Sequence, residues 1–326
     1  MTKITDWDDH IGRRLRLRDL RIFFLVVQSR SISKAAQQLR VSHPAVSQVI
    51  ADLEHSLGVK LFDRSSRGVE PTPYADALLA RGRAAFDELK QGIRDIEFLA
   101  DPTTGELAIG YTQSIADTVL RRAIEHFSER YPRVIMHAEI VPPPSVTLSG
   151  LHDRTHELIL TRIPTALLDS DTVTDLSVEV LFYDPWVVVA SAGNRPLHRR
   201  TIDLVDLLGE PWLLPPPDTF SYQVVADAFK ARGLGMPTAI LVSHSMDLRA
   251  KLSARGRSVT VVPQSMLQLG DDRHGLKKLP VDIPVRPWPV VILRLKNRTL
   301  SPLVERFIDC ARGVAKSMAS KNGQKT

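Results

Sequence analysis

The stretch that decides the fold runs from Leu17 to Arg64, LRDLRIFFLVVQSRSISKAAQQLRVSHPAVSQVIADLEHSLGVKLFDR. Leu17, Leu20, Phe23, Phe24 and Val27 recur at steps of three and four, which is one face of a helix over Leu17–Gln28. Ser31 to Ser33 interrupts it. Ser33 then stands where it can cap a short second helix through Leu39, whose paired Ala35 and Ala36 permit close packing. After a turn at Val41, Ser42 can cap a third helix, which tolerates Pro44 in its first turn and points Val46, Val49, Ile50 and Leu53 inward. Leu57 and Gly58 stop it. Val59–Phe62, a segment Asp63–Gly68 containing two arginines, and Val69–Glu70 then read as a small β-hairpin with a basic tip.

Three tightly packed helices leave the last one free to enter a major groove about 12 Å wide. At its exposed start, Ser42, His43, Ala45, Ser47 and Gln48 are the candidates to touch DNA. Gln48 and His43 suit base edges, and Ser42 and Ser47 suit the phosphate backbone. Lys34 and Arg40, with Arg64 and Arg67 in the hairpin, suit phosphate neutralisation, and Ser33 beside Lys34 completes the candidate set. Charge agrees with this reading. The 326 residues carry a net charge of +6, and segment 13–70 alone carries +6, against −2 before it and +2 after it. A basic unit on a balanced body points to a polyanion partner.

Outward from this segment, Pro71, Thr72 and Pro73 open a long helix to about Ala100. Along it Ala75, Leu79, Gly82, Phe86, Leu89, Ile93, Ile96 and Ala100 form a heptad seam, on a helix about 40 Å long. So narrow a seam predicts pairing with a second copy, and packing against the chain's own body is the alternative. Asp101–Gly105 breaks the helix. Beyond it strands are expected at 107–111, 134–141, 157–161, 186–190, 238–242 and 259–262, with helices at 119–130 and 222–232. That alternation argues for an open, mostly parallel sheet flanked by helices, and the polar tail from Lys316 reads as loose.

Length calls for two or three compact units, and 43% hydrophobic with 25% charged residues is ordinary for a globular protein. No stretch approaches the roughly 18 uncharged apolar residues of a membrane span, and the polar start is unlike a signal peptide, so the expected location is the cytoplasm, with no membrane partner. Cys310 is the only cysteine, which excludes an internal disulfide and a multi-cysteine zinc site and suits a buried thiol.

Ser33, Ala35, Ala36, Leu39, Ser42, Val46, Ser47, Ile50, Leu53, Glu54, Leu57, Gly58, Leu61, Phe62 and Arg64 together resemble the LysR-type transcriptional regulators. With Thr72, the long helix and the α/β region behind it, the resemblance covers the chain from about Leu17 to Arg312. It implies an α/β chain with a winged, otherwise helical N-terminal part. The implied domains are a winged helix-turn-helix over 15–73, a dimerising linker helix over 74–101, and a two-lobed effector domain like a periplasmic binding protein over 105–312. Lobe 1 would take about 105–180 and 283–312, and lobe 2 about 181–282. The resemblance also implies double-stranded promoter DNA as partner, a homodimer assembling into a homotetramer, RNA polymerase as a candidate contact, and a small-molecule effector in place of any cofactor. Ala75 stands where a glycine is usual, Pro71 replaces an aliphatic residue, and Ser258 replaces the second glycine of the run before Pro263.

Transferred residue by residue, the effector site takes Thr112, Gln113, Ser114, Ser145, Thr161, Arg162, His244, Ser245 and Pro263. Independently of the resemblance, hydroxyls and free backbone N–H groups at a helix start favour a carboxylate. Thr112 and Ser114 as simple helix caps, and Arg162 as a surface ion pair, are the alternatives.

Signals for other classes are weak. Ser31 to Lys34 matches a Ser-x-x-Lys pattern without its partner motifs, and His152 and His156 lie one helical turn apart without the zinc-protease carboxylate. No phosphate loop, nucleophile elbow or dinucleotide fingerprint is present, which argues against an enzyme. The rival reading is a binding protein or enzyme built on the α/β part, with the N-terminal unit serving assembly. Steep loss of polyanion binding with salt separates the two.

Overall fold

The computed structural model describes residues 15–65, 68–142, 148–168, 173–194, 200–269 and 275–323. The chain divides into two compact units, 1–90 and 91–326. In the first, α1 (Leu17–Ser29), α2 (Ile32–Leu39) and α3 (His43–Leu57) close over a core containing Phe23, Val26, Ala35, Val46, Ile50 and Leu61. The inward face of α1 is Leu20, Ile22, Phe23 and Val26, while Leu17 is exposed. It is rotated from the expected face because α1 packs on α2, on α3 and on the second strand of the hairpin. Phe24 turns instead toward the long helix, its ring 5.4 Å from that of Phe86. The cap of α2 is Ser31, whose hydroxyl accepts the Lys34 N–H, so Ser33 lies inside the first turn and not at the cap. This also explains the Ser-x-x-Lys match, which is a capping geometry. Ser42 caps α3 as expected, accepting from Ala45 N.

The hairpin pairs β1 (Phe62–Ser65) with β2 (Gly68–Pro71), so the first strand starts three residues later than the sequence suggested. The delay has a cause: the N–H of Val59 bonds the Glu54 carbonyl, and those of Leu61 and Phe62 bond the Glu54 carboxylate, which ties this stretch to α3. Gly68, at φ 128, lets β2 pass the end of α1, since a Cβ there would lie 2.8 Å from the Arg30 carbonyl oxygen. Thr72 joins hairpin to helix, donating its hydroxyl to the Lys60 carbonyl at 2.8 Å and accepting the Ala75 N–H at 3.4 Å. There α4 begins (Pro73–Ala100), and the boundary between the two units falls within it.

The first half of the predicted seam packs on the chain's own helices. Ala75 is fully buried, Leu79 borders the core, and a Cβ on Gly82 would come 2.8 Å from the Phe24 ring. Packing therefore requires a small residue at position 75. Farther along, Leu89, Ile93, Ile96 and Leu99 are exposed.

In the second unit the chain runs β3 (Thr104–Tyr111), α5 (Gln113–Ile115), α6 (Arg121–Arg130), β4 (Arg133–Ile140), α7 (Ser149–His152), β5 (Leu158–Arg162) and β6 (Leu176–Asp184). It continues with β7 (Trp186–Ser191), β8 (Trp212–Leu214), α8 (Phe220–Ala231), β9 (Ala239–Val242), α9 (Met246–Arg255), β10 (Val259–Pro263), α10 (Gln264–Leu269) and β11 (Leu276–Lys278). It returns through β12 (Trp288–Leu295) and ends in α11 (Pro302–Gly323). Two five-stranded sheets result, ordered β4-β3-β5-β12-β6 and β11-β7-β10-β8-β9. In each, two neighbouring pairs are parallel and two antiparallel, so the expected mostly parallel sheet is replaced by two mixed ones. The cause is the crossing between lobes. The chain leaves the first sheet at Pro185, five residues beyond the expected point, and re-enters it along β12 between β5 and β6. The tail is not loose from Lys316: α11 continues to Gly323 because Val304, Phe307, Ala311, Val314 and Met318 bury one stripe against the first sheet's core.

Candidate functional site

The exposed start of α3 presents His43, Ala45 and Gln48 to solvent, with Ser42 at its cap and half-buried Ser47 beside them. Gln48 donates to Asp52 at 2.8 Å, and Arg64 in β1 donates to Ser47 at 3.5 Å, so the hairpin arginine and the helix form one polar surface. Ser33 and Lys34 sit exposed in the first turn of α2, and Arg40 at its end. Arg67 lies outside the described residues. Glu54 holds the hairpin to α3: its carboxylate takes Leu61 N at 2.8 Å, Phe62 N at 3.2 Å and Lys60 Nζ at 2.8 Å. Burial raises its pKa, but the bonds from Lys60, Leu61 and Phe62 outweigh that and leave it below the usual carboxylate value.

In the second unit a cavity of about 730 Å³ lies where the carboxyl ends of β3, β4, β5, β8 and β9 face the starts of β7 and β12. Ligands of open α/β sheets sit at such strand ends. Of the predicted effector residues, Thr112, Gln113, Ser114, Arg162, His244 and Ser245 line it. Thr161 stands one layer back, fully buried with its hydroxyl 3.1 Å from that of Thr112. Pro263 is buried opposite Trp186 in the β10–β7 register and does not line the cavity. Ser145 lies outside the described residues. Thr112 caps nothing with its side chain, and α5 is only three residues long, so the helix-start argument for a carboxylate has little to rest on here.

The two arginines divide the work. Arg162 Nη2 pairs with buried Asp184, and Nη1 donates to the Ser114 carbonyl at 3.0 Å. Its guanidinium carbon lies 5.5 Å from the Trp186 ring centre. Asp184 also accepts the Ser265 N–H at 3.0 Å, so one carboxylate at the crossover ties β5 of the first lobe to α10 of the second. The Arg162 ion pair is thus buried at the cavity wall, contrary to the surface ion pair that the sequence left as the alternative. Arg249, which the sequence reading missed, is 1% exposed and bonds Thr260 Oγ1 at 3.3 Å. Among the described residues no carboxylate pairs with it, and burial alone pushes its pKa down to about 10. The signal was present in Met246, Arg249, Ala250 and Ser253, an inward helical face bearing a cation. Trp186 and Trp288 were also missed; each adjoins a proline where the chain changes sheet.

His152 and His156 do not converge: they bond Asp175 at 2.7 Å and Glu139 at 3.2 Å respectively. Among the described residues no cluster of His, Cys, Asp and Glu could hold a metal ion.

Residues 17–76 match the family model for the bacterial regulatory helix-turn-helix protein, lysR family, and residues 100–316 match the LysR substrate binding domain. The chain belongs to the LysR family of bacterial transcription regulators. LysR regulators bind DNA through the first domain and small-molecule effectors through the second. The transcriptional dual regulator GltC of Bacillus subtilis is 27% identical over 299 residues, covering 90% of this chain and 96% of its own. A full-length OxyR variant from Pseudomonas aeruginosa superposes with a TM-score of 0.61 at 21% identity, over 93% of this chain and 95% of its own. CbnR, solved in complex with its target DNA, gives 0.51 at 21% identity, over 92% and 100%. These likenesses establish a helix-turn-helix head with a two-lobed α/β effector domain. Among the described residues no helix is long and apolar enough to cross a membrane.

Proposed function

We propose that this LysR regulator reads promoter DNA with Ser42, His43, Ala45, Ser47 and Gln48 of α3, and grips phosphates with Lys34, Arg40, Arg64 and Arg67, with Ser33 alongside. The observation that carries the reading is the exposed polar start of α3, joined to Arg64, inside the segment that holds the chain's whole net positive charge. Two copies pair along the exposed part of the α4 seam, Leu89, Ile93 and Ile96, with exposed Leu99 beside it, and pairs assemble into a tetramer. A small organic anion binds the cavity between the lobes, reached by Thr112, Gln113, Ser114, Arg162, His244 and Ser245. It acts through its different affinity for two protomer arrangements, since a ligand with equal affinity shifts nothing.

The test is an electrophoretic shift of the DNA upstream of the protein's own coding region, comparing wild type with the double variant Ser47→Ala, Gln48→Ala at fixed salt. Discrete wild-type complexes that the variant loses, and that weaken steeply with salt, support the reading. Equal binding by both proteins overturns the assignment of α3.

A further inference from the structure

The cavity carries more chemistry than a generic cleft. Three buried polar atoms of its lining side chains have no hydrogen-bond partner: Arg162 Nε, Arg249 Nε and Trp186 Nε1. All three are donors, and among the described residues no lining side chain holds an unpartnered buried acceptor. An unmet buried donor is costly, so the complement is an acceptor-rich group. Charge narrows the choice. Asp184 neutralises Arg162, whereas nothing described neutralises Arg249, which leaves one buried positive charge at the cavity wall. A single anionic group balances it. A second would be buried without a partner, because the other basic side chain of the lining, His244, is exposed to solvent and not part of the buried wall.

The remaining wall is aromatic. The Trp186 and Trp288 rings meet edge to face, centroids 6.0 Å apart at 85°, and Phe220 stands at 90° to Trp288 with centroids 5.6 Å apart. Such a cluster offers ring faces and edges to a flat apolar body. Ile140, Val141 and Pro142 extend that wall from the end of β4. At about 730 Å³ the space takes a drug-sized ligand.

We infer that the effector is a monoanionic aryl carboxylate, its carboxylate seated on Arg249 and its ring system against Trp186, Trp288 and Phe220. This rests on the cleft being the effector site. Neutral sugars fit poorly because they bring no charge to balance Arg249. Dicarboxylates fit poorly because their second charge has no buried cation left to meet.

The probes are naphthylacetate, its uncharged analogue naphthylacetamide, and a naphthalenedicarboxylate, titrated into the full chain by tryptophan fluorescence and calorimetry. Wild type is expected to bind naphthylacetate at least about ten-fold more tightly than either other probe, with quenching of tryptophan emission. Arg249→Met is expected to remove that preference, and Arg249→Lys to restore part of it; thermal melts show whether each variant is folded. Naphthylacetamide binding as tightly as naphthylacetate, or the preference surviving in folded Arg249→Met, overturns the inference while leaving the cleft as effector site. No binding of naphthylacetate overturns it too. Failure of the wider regulator reading shows separately, in ligand-free DNA binding.

Discussion

Replacing Arg249 by methionine should make the ligand-free protein more stable. Burial holds the guanidinium at about 10, well below its ordinary value, and each pKa unit corresponds to about 1.4 kcal/mol. Keeping the charge buried therefore costs about 3 kcal/mol. The bond to Thr260 offsets this by about 1 kcal/mol, and a linear apolar side chain of similar length retains the packing. The net gain is about 2 kcal/mol, or roughly 4–8 °C in melting temperature for a domain of this size. The sign of the pH dependence follows from the depressed pKa. Below about 10 both folded and unfolded chains carry the proton, so the penalty is complete and constant. Above it the folded chain releases the proton first, so wild-type stability recovers and the gap to the variant closes. Calorimetric melts of both proteins between neutral pH and pH about 9 should show the variant higher by a constant margin. A variant destabilised by more than about 1 kcal/mol would refute the reasoning, because it would mean that the guanidinium is already compensated in the fold.

Glu54→Ala strands the buried N–H groups of Leu61 and Phe62 and should cost about 3 kcal/mol, read by denaturant unfolding and by weakened DNA binding. Because the Glu54 pKa is lowered in the fold, its contribution is present above the unfolded carboxyl value and fades as pH falls through the folded one, so wild type and variant should converge in acid. Asp184→Asn leaves Arg162 buried without its counter-charge and should cost about 3–5 kcal/mol in chemical denaturation; a loss under 1 kcal/mol contradicts the ion-pair assignment. The double variant Ile93→Asp, Ile96→Asp changes positions 58% and 68% exposed in the single chain, so it should keep its helical circular dichroism while sedimenting as monomer. Sedimentation unchanged from wild type would place the dimer contact elsewhere.

The sequence alone determined the parts whose instructions are local. Ser42, Pro44 and Gly58 fix both ends of α3, and Val46, Ile50 and Leu53 fix its inward face, because caps and periodicity act within a few residues. The cavity residues after β3, β5 and β9 were legible for a related reason: strand ends followed by hydroxyl-rich turns carry their own signal, and the family resemblance aligned them. What the sequence could not assign was decided across long separations. Which of Arg162 and Arg249 lacks a counter-charge among the described residues depends on Asp184, which pairs with the first from 22 residues away and is not reachable by local reading. The split of the α4 seam into a half packed on Phe24 and a half left exposed depends on where α1 lies. The mixed sheets arise likewise, because β12 enters between β5 and β6 from far along the chain, and strand direction is set by that crossing and by no property of its residues. Local chemistry names the groups; only the fold decides which of them are paired and which remain open to a ligand.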